Sequence, residues 1–145
     1  MCYNKDCKIK ITSFIDGEKS TVSTEGKLIN TSPELRVEYL LDSDQCSLTA
    51  NGNEIVQTRR GRQNVSITFR EGEQTECVLG FNGFSGTIPV FTENFEISIL
   101  RIHNRYETSY IYTISIRYTL GEQKIELTIT VENKPISIIK NREKR

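Results

Sequence analysis

Alanine, the strongest helix former, occurs once in 145 residues, at Ala50, whereas Ile, Val and Thr together number forty. Side chains branched at Cβ lose rotamer freedom in a helix and suit a pleated strand, so a mostly helical protein is excluded. No stretch approaches the ~20 consecutive apolar residues of a spanning helix, and Met1-Cys2-Tyr3-Asn4-Lys5-Asp6 lacks the apolar core of a signal peptide. Neither a membrane span nor a leader is predicted, and a cytoplasmic location is expected. An excess of one charge is missing as well. Nineteen Lys plus Arg balance nineteen Asp plus Glu, so no global attraction toward nucleic acid or a membrane surface arises, and neither is an expected partner.

Histidine occurs once, as His103, in the turn-like run His103-Asn104-Arg105. No Gly-x-Ser-x-Gly elbow accompanies it, so a Ser/His/Asp triad has nothing to build on. Four cysteines, Cys2, Cys7, Cys46 and Cys77, lack the paired close spacing of a zinc site. A chain of this size buries ~70% of its unfolded surface and needs no disulfide staples, so the thiols are expected to be reduced. The glycines are scattered one per turn and none opens a helix, which leaves no phosphate loop. No metal and no cofactor are expected.

What is present is period-two alternation. Tyr110, Tyr112, Ile114, Ile116, Tyr118 and Leu120 share one parity, against Thr113, Ser115, Arg117 and Thr119 on the other. Ile125, Leu127, Ile129 and Val131 repeat the pattern against Lys124, Glu126, Thr128 and Thr130. Leu35 to Leu41, Val65 to Phe69 and Phe95 to Ile99 alternate in the same way. Each run predicts a strand with one buried and one wet face. Turn residues fall between them: Asp16-Gly17, Asp42-Ser43-Asp44, Asn51-Gly52, Gly61, Glu71-Gly72, His103-Asn104 and Gly121-Glu122. Connections of helix length, which parallel strands require, are absent, so the sheet is antiparallel. A meander closes without long crossovers, and the reading is a single all-β, antiparallel up-and-down β-barrel of about 8 to 10 strands.

Two segments stand outside the alternation. Residues 81–91 carry three Phe, two Gly and one Pro, which suggests a long, lid-like connection whose aromatic residues cover an open end of the core. From Asn133 the chain holds Lys134, Lys140, Arg142, Lys144 and Arg145 against Glu143. This divides the chain into a barrel domain over 1–132 and a basic tail over 133–145, with Ile136, Ile138 and Ile139 able to add a short strand. One local cluster has chemical meaning: Arg59-Arg60-Gly61-Arg62 brings guanidinium forks suited to a carboxylate or phosphate to a strand end. A solvated hairpin tip is the plainer alternative.

The run Ile55-Val56-Gln57-Thr58-Arg59-Arg60-Gly61, a strand ending Ile67-Thr68-Phe69, the Glu71-Gly72 turn and the late strand Ile114-Ser115-Ile116-Arg117-Tyr118-Thr119-Leu120 resemble the YwiB-like bacterial proteins of unknown function. Thr24-Glu25-Gly26 resembles an early Thr-Thr-Gly of that family, with Glu25 a departure. The resemblance spans about residues 8 to 132. It implies a calycin-like, lipocalin-like barrel in a cytoplasmic bacterial setting, and it implies no activity.

The functional expectation is a small-molecule binding module. Arg59 and Tyr112 would orient an apolar or amphipathic anion, and Phe84 and Phe91 would cover it. An enzyme using Tyr, Arg and Glu within the barrel for acid–base chemistry is the alternative by fold analogy. A filled barrel acting as a protein-interaction scaffold is the third reading, and a homodimer is open. The interior discriminates among them: an inward ionisable pair favours catalysis, a lined cavity favours binding, and a filled core favours the scaffold.

Overall fold

The computed structural model describes residues 5–133. Ten strands follow one another: β1 (Lys5–Ile15), β2 (Glu18–Asn30), β3 (Leu35–Leu41), β4 (Asp44–Ala50), β5 (Ile55–Arg60), β6 (Asn64–Phe69), β7 (Gln74–Phe81), β8 (Phe84–His103), β9 (Thr108–Leu120) and β10 (Gln123–Asn133). Each pairs antiparallel with its chain neighbour, and β1 closes the barrel against β10, from Cys7 opposite Asn133 to Ile15 opposite Ile125. The expected up-and-down β-barrel is therefore the observed fold. β10 continues through Asn133, which is buried. The remainder of the basic tail, with the strand expected at Ile136 to Ile139, lies outside the described residues.

Alternation along each strand sorts the side chains. Ile114, Ile116, Ile129 and Val131 have at most 1% of their surface exposed, while Lys124, Glu126 and Arg117 on the opposite parity face solvent. Tyr112 and Tyr118 are buried as the pattern predicts, and Tyr110 is half-buried. An apolar interior with a polar exterior is the inverse of a membrane-spanning barrel, whose outward band is apolar. Among the described residues no helix is long and apolar enough to cross a membrane.

Two strands change partner along their length at register shifts. β8 pairs with β7 over Phe84 to Phe91 and with β9 over Val90 to His103, with a bulge between Thr92 and Asn94. β2 pairs with β1 over Glu18 to Leu28 and with β3 over Gly26 to Asn30, with a bulge between Leu28 and Asn30. A bulge inserts an unpaired residue, bends its strand and increases the local twist, which lets one long strand pair with different neighbours over different stretches. The β8 corner is pinned at Thr92, whose amide donates to the Glu73 carbonyl at 3.3 Å and whose carbonyl accepts from Gly72 at 2.7 Å.

Residues 81–91 depart from the sequence reading. They form the end of β7, a two-residue turn at Asn82-Gly83 and the start of β8, so the long lid-like connection does not exist. Both turn residues have positive φ, 48° and 83°, and Asn-Gly is the dipeptide that such a hairpin prefers because its backbone twist matches that of the strands. Alternation fails here because neither face of this tip is covered: Phe81 and Phe84 face each other across the turn, 52% and 78% exposed.

Gly121 opens the β9–β10 turn with φ +61°. A Cβ in that left-handed conformation costs about 1 to 2 kcal/mol. Gly121→Ala is therefore expected to lower urea-unfolding stability by that amount. Gly86→Ala is the control, because Gly86 lies in β8 with open space where a Cβ would stand and without positive φ. Equal midpoints for the two variants would contradict the strain argument.

Candidate functional site

The inward row at one end of the barrel contains the ionisable group that pattern reading overlooked. Asp44, expected within the Asp42-Ser43-Asp44 turn, is the first residue of β4 and is only 4% exposed. It shares parity with Cys46, Leu48 and Ala50, all buried. That phase was the available signal, outweighed by the habit of placing Asp in turns. Its Oδ2 accepts from Arg59 Nε at 2.7 Å and its Oδ1 accepts from the Arg62 backbone amide at 3.1 Å. Arg59 lies on the inward face of β5, opposite Cys46, which in turn lies opposite Tyr39 on β3.

This arrangement explains the order Arg59-Arg60-Gly61-Arg62. Arg59 turns inward to the carboxylate, Arg60 and Arg62 are exposed, and Arg62 contributes its main chain to Asp44. The three guanidinium groups therefore do not converge on one anion. A Cβ at Gly61 would fall on the Asp44 carboxyl group, so the side chain there is hydrogen and the chain can close over the acid.

The Arg59 hydrogen bond, followed by the Arg62 amide, holds the Asp44 carboxyl below the usual carboxylate range. In turn, Asp44 raises Arg59, which stays charged at any ordinary pH. Burial pushes the Cys46 thiol up, and burial raises Tyr39 despite a lowering hydrogen bond to Gln57. At the opposite end burial pushes Tyr118 up to about 12, with Cys77 adding to the rise. Because Asp44 is depressed on folding, its contribution to stability is fully present above the unfolded carboxylate value of about 3.9 and is lost as pH falls through the lower folded value. The stability difference between the parent and Asp44→Asn is accordingly expected to be constant from neutral pH down to about 4 and to shrink below it. Urea midpoints measured across pH 2 to 7 check this, and a difference that grows on acidification contradicts it.

The four expected ligand residues fall in different surroundings. Arg59 has a third of its side chain exposed and is committed to Asp44. Tyr112 is buried, 7% exposed, on β9. Phe84 sits at the β7–β8 hairpin tip, and Phe91 lies opposite Gln74 and Thr119 with 44% of its surface exposed. Neither Phe covers the core. Cys7, Cys46 and Cys77 are buried, and among the described residues no group of three His, Cys, Asp or Glu side chains could hold a metal ion.

Inside the barrel two rings meet beside the β8 corner. Phe69 of β6 and Tyr118 of β9, separated in the barrel by β7 and β8, meet edge to face with ring centroids 4.7 Å apart. Outside, the β8–β9 hairpin runs beyond the part of β8 that β7 covers and exposes Ile99, Leu100 and Ile102 by 62%, 59% and 43%.

The molecule belongs to the class of ten-stranded, up-and-down antiparallel barrels with a buried apolar core. Among solved structures, the crystal structure of the YwiB protein from Bacillus subtilis has the same fold, with a TM-score of 0.70 over 92% of this chain and 96% of that one, at 17% sequence identity. The YwiB-like fold implied by the Ile55 to Gly61 and Ile114 to Leu120 runs is thus present in three dimensions. No family model and no curated protein matches the sequence.

Proposed function

We propose that this protein is an interaction module, a filled barrel that works through its outer surface. The apolar interior carries this reading, because Phe69 and Tyr118, meeting edge to face beside the β8 corner, take up part of the space a lumenal ligand would need. The apolar side chains exposed on the β8–β9 hairpin supply a surface for another polypeptide. Neither Asp44, held low by Arg59, nor Tyr118, held high by burial, is poised as an acid or base near neutral pH.

A small carboxylate ligand is the second reading, favoured by the exposed third of Arg59. Such a ligand must compete with Asp44, which already holds the guanidinium at 2.7 Å. Native mass spectrometry of the purified protein, with thermal-shift screening of acyl and aromatic carboxylates, separates the two readings. The interaction module is expected to show the polypeptide mass alone and no shift. A co-purified small molecule, or a stabilising carboxylate whose effect vanishes in Arg59→Gln but survives in Arg60→Gln, would replace it with the ligand reading.

A further inference from the structure

We draw no further inference here: the strongest candidate, the exposed apolar surface patch of Ile99, Leu100 and Ile102 on the stretch of β8 that runs beyond β7, belongs to the surface already described, and nothing in the structure shows what covers it.

Discussion

Replacing Phe69 by alanine is expected to destabilise the protein by about 3 to 5 kcal/mol. The side chain is fully buried and lies opposite Ile55 of β5 in the ladder, while its ring meets Tyr118 at 4.7 Å with an interplanar angle of 64°. Truncation removes the transfer free energy of a whole ring and opens a cavity inside a closed barrel whose hydrogen-bonded ladders keep it from collapsing. Phe69→Leu retains much of the volume and is expected to lose considerably less. A double-mutant cycle with Tyr118→Leu, read from urea midpoints, should return a coupling of about 0.5 to 1.5 kcal/mol for the edge-to-face pair. Strictly additive effects would mean that the rings do not meet and that the interior is open.

The second large effect is expected at Ile116. Its side chain is 1% exposed, and its neighbours in the ladder are Phe95 on β8 and Leu127 on β10. Ile116→Ala should cost about 2 to 5 kcal/mol, from lost burial and from the cavity that two paired neighbours prevent from closing. Arg117, one residue on, points outward and forms a solvent-exposed ion pair with Glu126 at 3.2 Å. Arg117→Ala should therefore change stability by less than about 1 kcal/mol. Reversed magnitudes at these two adjacent positions would show that β9 is shifted by one residue, since a slip of one exchanges the two faces of a strand.

Alternation is a local property, and the parts of the fold that depend on it were legible. The faces of β9 and β10, the strand of residues 35–41 and the turn at Gly121 all follow from side chains that alternate across a pleat, and from residues that tolerate positive φ. Closure into a meander barrel followed from short connections alone. The hairpin at Asn82-Gly83 was also present locally, but Phe, Gly and Pro around it obscured the alternation. Asp44 shows the opposite limit. Its phase with Cys46 and Leu48 was visible, yet its burial depends on Arg59, fifteen residues away, because a buried carboxylate persists only with a partner and pairing is settled by ladder register.

The sequence by itself determined the inward faces of the regularly alternating strands, most of the reversals and that the strands are antiparallel, because each rests on neighbours within a few residues; Asp44 and the Asn82-Gly83 turn are the exceptions. Only the tertiary structure decided that β2 and β8 shift register at bulges, that Phe69 and Tyr118 meet although β7 and β8 separate their strands, and that β9 runs alongside β8 beyond the reach of β7. These depend on how far each strand outruns its neighbour and on which side chains meet inside the barrel, and both are set by the packing of residues distant in the chain.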